Sequence, residues 1–493
     1  MKPSTMVLHH EVPLLNEDSR PGKTGVHLPA VDEAWADKIP ASLRFNPGTE
    51  NDFGHSEPAA VAHWTKLSQK TFGNDTAIYP LGSCTMKHNP KVCDEVAGWP
   101  QVQLMHPDQD SRTIQGSLEV MYNLERWLGE VTGMDAVTLQ PAAGAHGEFL
   151  GCLLARAYHE HHGQGHRNEV ILPDTAHGTN PATAGMVGYK VVEIPSTLDG
   201  RVDIEALRAA VSERTALFML TNPNTLGLFE TDIQEIQKIV HKAGGLLYYD
   251  GANLQAIQGI ARPGDMGFDI VHINLHKTYA VPHGGGGPGS GPVGVKKRLQ
   301  QFLPVPHIIK TESGFDVSYN HPDSVGKIKG WFGQSAALVR AYTYMKLLGG
   351  DGIRRAAEIA VLNANYMKHE LEGVLDFPHP GPVKHEFVAS ALTLKKTRGI
   401  TAGDIGKCLL DRGMHAPTVY FPLIVPEALM VEPTESETKE ELDRFIAAVK
   451  SIAQLDPEVA HNAPYTTPVK RLDEAKAARA LVLRWHTLSR LEG

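Results

Sequence analysis

Strand and helix alternation is the feature that most restricts how this chain can fold. Helix-length segments separate the first five of six short apolar runs, and two of these segments begin at Asp203 and Asp232, a residue type suited to cap a helix. This alternation predicts an α/β domain with a mostly parallel sheet. The six runs are AVTL at 136–139, EVILP at 169–173, KVVEIP at 190–195, TALFML at 215–220, LLYYD at 246–250 and DIVHI at 269–273.

The segments on either side of this core predict two further parts. Apolar residues at helical spacing from Ile114 to Val131 indicate a helix that ends at Gly133. Residues rich in Pro, Gly, His and Asn precede it, and a helical stretch at 335–350 with a mixed pattern follows the core. We therefore predict an extended arm and interface segment at 1–101, a large cofactor-binding domain at 102–330, and a smaller C-terminal α+β domain with a tail at 331–493.

Charge and cysteine usage exclude several classes of protein. The chain has 47 Lys and Arg against 56 Asp and Glu, a net charge of −9, which argues against a nucleic-acid partner. No run approaches the roughly 20 apolar residues that cross a bilayer, and the first residues lack the apolar stretch of a signal peptide, so we expect a cytoplasmic protein without a membrane partner. The 4 cysteines are scattered, without the spacing of a disulfide framework or a zinc site.

Two charged residues at successive strand ends carry the strongest chemical signal. The run LLYYD ends at Asp250, and Lys277 follows the next apolar run 27 residues later. A carboxylate can pair with a protonated pyridine nitrogen, and a lysine amine can form a Schiff base with an aldehyde. Either residue alone has an ordinary explanation, since Asp is common in turns and Lys on surfaces. Together they predict a site for pyridoxal phosphate.

The same cofactor needs a phosphate cradle and a group against its ring. Gly144 and Ala145, in QPAAGAHGE, can offer backbone N–H groups at the start of the helix after the first strand. His177, in DTAHGTNPATAG, supplies a flat ring after the second strand. Each is by itself more often a turn residue, so the prediction depends on their joint position at strand ends.

Other glycine and histidine patterns point to no additional cofactor. Gly284, Gly286 and Gly289 match the dinucleotide pattern, but Pro288 interrupts it and no helix follows. The spacing from Gly289 also fits a nucleotide-phosphate loop, yet Val295 stands where that loop needs Lys. We predict no metal at HEHHGQGH, 159–166, which we interpret as a polar helix end.

Several long strings resemble the glycine decarboxylase, or P-protein, of the glycine cleavage system. The resemblance extends from about Thr76 to about Val449, and the length resembles subunit 2 of the split form of this family. The strings are YPLGSCTMKHNP, QPAAGAHGE, DTAHGTNPATAG, TNPNTLGLFE, YYDGANLQAI, NLHKTYAVPHGGGGPGSGPVGVK and VEPTESETKEELDRF.

This resemblance implies a fold, a reaction and a set of site residues. The fold would be that of fold type I pyridoxal-phosphate transferases, and the activity that of a glycine dehydrogenase (aminomethyl-transferring), which decarboxylates glycine and passes the aminomethyl group to the lipoyl arm of H-protein. The implied assembly is an α2β2 heterotetramer with the homologous subunit 1. The implied site residues are Lys277 for the Schiff base, Asp250 for the pyridinium nitrogen, His177 for ring stacking, and His276, Gly144 and Ala145 near the phosphate.

Two alternatives stay open at this point. Another fold type I enzyme, such as an aminotransferase or a serine hydroxymethyltransferase-like enzyme, would use the same lysine and aspartate. A non-catalytic structural subunit would have no need for that pair. We also predict that the Gly-rich loop at 284–291 acts as a gate over the site, because residues without side chains allow close approach.

Overall fold

The structure is a computed structural model that describes residues 12–15, 17–20, 22–27, 29, 35, 38–43, 54–106, 108–283, 289–330 and 333–481. The chain divides into two compact units, one of Ala77–His461 and one of Met1–Thr76 with Asn462–Gly493. The domain limits predicted from the sequence stay a prediction. Within the described part of the chain, no helix is both long and apolar enough to cross a membrane.

A seven-stranded sheet forms the centre of the larger unit. Five of its strands, β2 to β6, pair in parallel, whereas β7 pairs antiparallel with both β1 and β6. The order across the sheet is β1-β7-β6-β5-β4-β2-β3. All six predicted strands are present, with β7 in addition. The strands are β1 Ala136–Thr138, β2 Glu169–Pro173, β3 Lys190–Ile194, β4 Thr215–Thr221, β5 Leu246–Gly251, β6 Ile270–Ile273 and β7 Val293–Val295.

The helices that cover this sheet follow from apolar spacing and from end signals. The helix predicted from Ile114 begins at Gln115 and ends before Gly133, whose φ of 70° makes a left-handed cap. Within the described residues the α-helices are α1 Glu57–Ser68, α2 Lys91–Ala97, α3 Pro100–Gln103, α4 Gln115–Thr132, α5 Gly144–His161, α6 Thr179–Val187, α7 Ile204–Ala210, α8 Ile233–Lys242, α9 Leu275–Thr278, α10 Ser335–Leu371, α11 Leu392–Arg398, α12 Ala402–Leu410, α13 Lys439–Ile452, α14 Pro457–Asn462 and α15 Glu474–Arg479.

The C-terminal part of the larger unit has its own small sheets. A three-stranded antiparallel sheet has the order β10-β12-β11, and β8 pairs with β9 as a hairpin. The helix predicted at 335–350 begins at Ser335 and continues to Leu371. Gly349, at a φ of 63°, introduces a kink within it but does not end it. The strands are β8 His307–Thr311, β9 Gly314–Ser318, β10 Phe387–Ser390, β11 Thr418–Val419 and β12 Ala428–Val431.

Residues 77–97, part of the predicted arm, pack within the same unit as the sheet. Leu81 forms an isolated antiparallel bridge with Val431, and the Gly82 N–H donates to the Met430 carbonyl at 3.2 Å. The Glu432 N–H donates in turn to the Pro80 carbonyl at 3.3 Å. This segment therefore extends the small C-terminal sheet by a short irregular edge.

Two local predictions differ from the structure. Asp203 caps α7 by accepting from the N–H groups of Glu205 and Ala206, but the Asp232 side chain makes no such bond at the start of α8. The histidine-rich segment is not wholly a polar helix end either. His159 is buried, and its Nε2 lies 2.9 Å from the Ala216 carbonyl on the central strand β4.

Candidate active site

Asp250 lies near the carboxyl end of β5 with its side chain buried. Its register partner in β6 is His272, whose Nε2 lies 3.4 Å from the Asp250 Oδ1. The Ala252 N–H donates to Oδ1 at 2.9 Å, and the Asn180 amide donates to Oδ2 at 3.2 Å. Burial raises the pKa of Asp250, but His272, the Ala252 N–H and the charge of Lys277 outweigh burial, so its pKa lies below the ordinary value. The site thus holds a carboxylate.

His272 is a site residue that the sequence reasoning missed. The Tyr248 hydroxyl lies 2.6 Å from its Nδ1, so that tyrosine, histidine and aspartate form a buried row across the ends of β5 and β6. Donation from Tyr248 to Nδ1 leaves the other ring nitrogen to carry the proton toward Asp250. A histidine inside the apolar run DIVHI was the available signal, since a buried polar side chain needs partners.

Lys277 lies in the short helix α9, directly after β6. Its Nζ donates to the Ser83 carbonyl at 2.8 Å, across 194 residues of sequence. Ser83 has a φ of 63°, the left-handed conformation that few residues other than glycine adopt. Lys277 is also close enough to Asp250 and to His177 to alter the pKa of both. The structure therefore brings the predicted lysine, aspartate and histidine into one electrostatic neighbourhood.

His177 is exposed just before α6, where the Thr179 hydroxyl lies 2.9 Å from its Nδ1. Burial on one side lowers the pKa of His177, so the ring is neutral at neutral pH. The same hydroxyl donates to Glu148 Oε1 at 2.9 Å. Burial, together with the charge of Asp250, raises the pKa of Glu148 to about 8, and sequence reasoning did not single out this carboxyl. The site pairs a charged carboxylate with a neutral carboxylic acid.

The N-terminus of α5 packs so closely against its neighbours that a side chain at Gly144 or Gly291 would collide with them. A Cβ on Gly144 would lie 2.3 Å from the Asn274 Oδ1, and one on Gly291 would lie 2.1 Å from the Ala143 carbonyl. The Asn274 amide in turn lies 3.4 Å from His272, which connects the helix start to the Asp250 site. The helix has 18 residues, so its first N–H groups and its dipole favour an anion there.

The remaining predicted residues lie around this helix start. Ala145 is exposed in the first turn of α5, beside Gly144. The Ser290 N–H donates to His276 Nδ1 at 3.4 Å, and burial together with His283 lowers the pKa of His276 to about 3. The predicted gate at 284–291 falls largely outside the described residues, which resume at Gly289.

Comparisons with known proteins identify the family of this chain. Residues 356–471 match the family described as glycine dehydrogenase, C-terminal domain, and residues 152–308 match aminotransferase class-V. The chain is 55% identical over 487 residues to a Pyrococcus furiosus protein named probable glycine dehydrogenase (decarboxylating) subunit 2, with 97% of each chain covered. A Listeria monocytogenes protein of the same name is 52% identical over 494 residues, covering 97% of this chain and 99% of that protein.

Solved structures share the fold at much lower identity. The glycine decarboxylase (P-protein) of the glycine cleavage system, in inhibitor-bound form, superposes with a TM-score of 0.73 at 22% identity, covering 86% of this chain and 95% of that chain. Glutamate decarboxylase of Lactobacillus brevis superposes with a TM-score of 0.63 at 14% identity, covering 86% and 98%. These likenesses confirm the predicted α/β fold of the aminotransferase type. Because it is more than half identical to these named relatives over 97% of its length, the chain belongs to the glycine dehydrogenase (decarboxylating) subunit 2 family.

Proposed function

We propose that this chain is the pyridoxal-phosphate-binding subunit that decarboxylates glycine and transfers the aminomethyl group to the lipoyl arm of H-protein. The observation that carries the proposal is the joint presence of Lys277 and a charged Asp250 at neighbouring strand ends, in a chain of this family. A subunit that only stabilised a partner would gain nothing from a buried carboxylate held by three donors.

The residues present fit pyridoxal phosphate. The start of α5, where a Cβ at Gly144 or Gly291 would collide with its surroundings, suits a phosphate bound by backbone N–H groups. Asp250 suits a protonated ring nitrogen, and the exposed ring of His177 suits stacking. Ala145 and His276 would complete the phosphate neighbourhood.

When bound, the cofactor supplies an aldehyde that condenses with amines and a protonated ring that accepts the electrons of the bond that breaks. The chain's own residues do the rest. Lys277 supplies the amine that glycine replaces. Asp250 stays ionised because His272 and the Ala252 N–H stabilise its charge, and it thereby holds a proton on the ring nitrogen. Glu148 stays protonated and adds no second negative charge beside Asp250.

The family name implies a second subunit, and we propose that this is the homologous subunit 1 in an α2β2 assembly in the cytoplasm. Light scattering of the two subunits expressed together should then give the mass of two copies of each. A mass equal to that of this chain alone, with no co-purified partner, would contradict the assembly.

The function is tested with the two-subunit complex, cofactor, glycine and lipoylated H-protein. We expect exchange of labelled carbon dioxide into glycine that depends on H-protein. Borohydride reduction followed by mass spectrometry should add the mass of the reduced cofactor to the peptide with Lys277, and Lys277→Ala should lose both signals. Lys296→Ala is the matched control, because Lys296 bonds the Gly133 carbonyl at the other end of the sheet strands.

The same complex, given other substrates, separates the alternatives. An aminotransferase would convert 2-oxo acids without H-protein, and an enzyme like serine hydroxymethyltransferase would form serine from glycine and a one-carbon donor. A structural subunit would show no adduct on Lys277 even in the complex with added cofactor.

A further inference from the structure

A second group of ionisable side chains faces Lys277 from the small C-terminal sheet. His385 and Glu386 immediately precede β10, and Glu432 immediately follows β12, its antiparallel neighbour. All three side chains are fully or almost fully buried. One nitrogen or oxygen of each lies within 4.8 Å of those of the other two. The proposed function assigns no role to these three residues. We call Glu386 and Glu432 the carboxyl pair.

Hydrogen bonds distinguish the two carboxyl groups of the pair. Glu386 accepts from the Ser83 N–H at 2.6 Å and from the Asn253 amide at 3.1 Å, and two donors favour its ionised form. Neither oxygen of Glu432 and neither nitrogen of His385 has a hydrogen-bond partner among the described residues. The Thr85 hydroxyl lies beside Glu432, outside hydrogen-bonding geometry. Of the two carboxyl groups, Glu432 is therefore the one that holds a proton more firmly.

Electrostatics agree with this assignment. Burial raises the pKa of Glu386 to about 7, against the two hydrogen bonds and the charge of Lys277. Burial and the charge of Glu386 raise the pKa of Glu432 well above its ordinary value. Burial and Lys277 lower the pKa of His385 to about 3, so its imidazole is neutral. A pair whose more acidic member has a pKa near neutrality can both accept and return a proton.

Ser83 connects this pair to the lysine. Its carbonyl accepts from Lys277 Nζ, and its N–H donates to Glu386. Other titratable groups surround the pair. The Cys84 thiol also faces Lys277, and burial raises its pKa. Glu435 faces Glu432 but is paired with the buried Lys87 at 3.2 Å. Unlike Glu435, neither carboxyl group of the pair has a lysine or arginine bonded to it among the described residues.

An amino-acid substrate arrives as an ammonium ion and must lose a proton before its nitrogen can attack. We propose that the carboxyl pair of Glu386 and Glu432 accepts this proton from the substrate ammonium beside Lys277 and returns it to the Lys277 amine when that amine is displaced. This proposal rests on the proposed function, because it concerns the amine exchange at the same lysine.

The proton and charge balance closes over the two steps. In the first, an N–H bond of the ammonium breaks and an O–H bond forms on Glu386, so the pair goes from one proton and one negative charge to two protons and none. In the second, this O–H bond breaks and the proton joins the lone pair of the Lys277 nitrogen. No oxidant or other reactant is needed.

A bound metal is the other way to use two carboxylates and an imidazole. Here both oxygens of Glu386 already accept hydrogen bonds, and the charge of Lys277 opposes a second cation. The geometry therefore favours a proton over a metal ion. Metal analysis of the purified complex separates the two, since one equivalent of bound metal that Glu432→Gln abolishes would overturn the proposal.

The first test uses infrared spectra of the cofactor-free two-subunit complex. The difference between wild type and Glu432→Gln at pH 7 should show the loss of one protonated carboxyl band. Glu437→Gln is the matched control, because burial also raises the pKa of Glu437 to about 7, but its charged neighbours are Glu441 and Arg444. If the Glu432→Gln difference contains an ionised carboxylate band instead, the pair does not hold a proton at Glu432.

The second test counts protons when glycine is mixed with the loaded complex in weak buffer containing an indicator dye. In wild type the substrate proton should stay within the site, whereas Glu386→Gln, which removes the accepting carboxylate, should release about one proton per site to the solvent. Loss of a proton acceptor should also slow the glycine-induced spectral change by about 10²-fold, as for other general bases. Glu437→Gln should behave like wild type in both respects.

The outcomes separate this proposal from the function on which it rests. Equal proton release in wild type and Glu386→Gln, with a normal spectral change on adding glycine, overturns the proton-transfer role and leaves the function standing. Absence of any spectral change with glycine in the wild-type complex contradicts the function itself.

Discussion

Glu148 and Asp250 show how the same residue chemistry gives opposite charge states in one pocket. Both are buried, but Asp250 receives the Ala252 N–H, the Asn180 amide and the His272 ring. Glu148 receives the Thr179 hydroxyl on one oxygen, and its other oxygen has no hydrogen-bond partner among the described residues. The charge of Asp250 adds to burial in raising the pKa of Glu148. At neutral pH these two carboxyl groups therefore carry one negative charge between them, on Asp250.

This difference predicts a pH dependence of stability that Glu148→Gln removes. The pKa of Glu148 is about 8 in the folded chain against an ordinary 4.5, so between these values the folded state keeps a proton that the unfolded state has lost. Unfolding then releases a proton, and the contribution of Glu148 to stability falls as pH rises from about 4.5 to 8. Melting temperatures over this range should decline less in Glu148→Gln than in wild type. The exposed control Glu213→Gln should keep the wild-type slope.

Asp250→Asn tests the charge itself with almost no change in shape. The amide cannot hold a proton on the ring nitrogen by charge, and His272 loses its anion. We expect glycine exchange to fall by about 10²-fold to 10³-fold, in the range typical for loss of one electrostatic partner. The exposed Asp199→Asn serves as the control for a general effect of removing a carboxylate. Near-normal exchange in Asp250→Asn would show that its charge is dispensable.

The sequence allowed some site residues to be predicted but not others, and the difference has a physical reason. Asp250 and Lys277 were predictable because strand ends in a parallel sheet meet at one edge. Ser83, Glu386 and Glu432 were not, since they come from segments more than 100 residues away on either side. Their approach depends on tertiary packing that no local pattern encodes.

At the scale of elements, the start of α5 has no space for a side chain at Gly144. Gly144→Ala would place a methyl group 2.3 Å from the Asn274 Oδ1, so either the Asn274 side chain or the helix start must shift. We expect at least about a tenfold loss of cofactor affinity, measured by release of the cofactor on dilution, with a smaller change in melting temperature. Gly185→Ala is the matched control, because a Cβ there meets no atom within 4 Å. Equal affinity of both variants would contradict a phosphate site at this helix.

Strands of the large sheet were easier to predict than those of the small sheets. β2, β4, β5 and β6 are buried throughout, and their continuous apolar runs were visible in the sequence. The strand β7 was missed because its VGV segment follows directly on a run of Gly and Pro. The strands β8 to β12 have at most 5 residues each, and β10 pairs with β12, which lies in a distant segment of the sequence.

At the scale of the whole molecule, Gly82 joins the beginning of the larger unit to its C-terminal sheet. A Cβ at this position would lie 2.2 Å from the Met430 Cγ and 2.7 Å from the Met430 backbone. Gly82→Ala should therefore lower the melting temperature by several degrees, through overpacking worth about 1–3 kcal/mol. It should also displace Ser83 and weaken retention of the cofactor. Gly116→Ala, where a Cβ has open space, should change neither, and a normal Gly82→Ala protein would show that this contact adapts freely.

The Ser83 carbonyl that binds Lys277 has a consequence for how the protein is made. During synthesis the ribosome releases the serine first, the lysine 194 residues later, and Glu432 last of the three. Contacts of such long sequence separation form late in folding. The lysine pocket is therefore complete only when the early, middle and late thirds of the chain have assembled. An incomplete nascent chain, with its aspartate and lysine already present, still lacks the finished pocket.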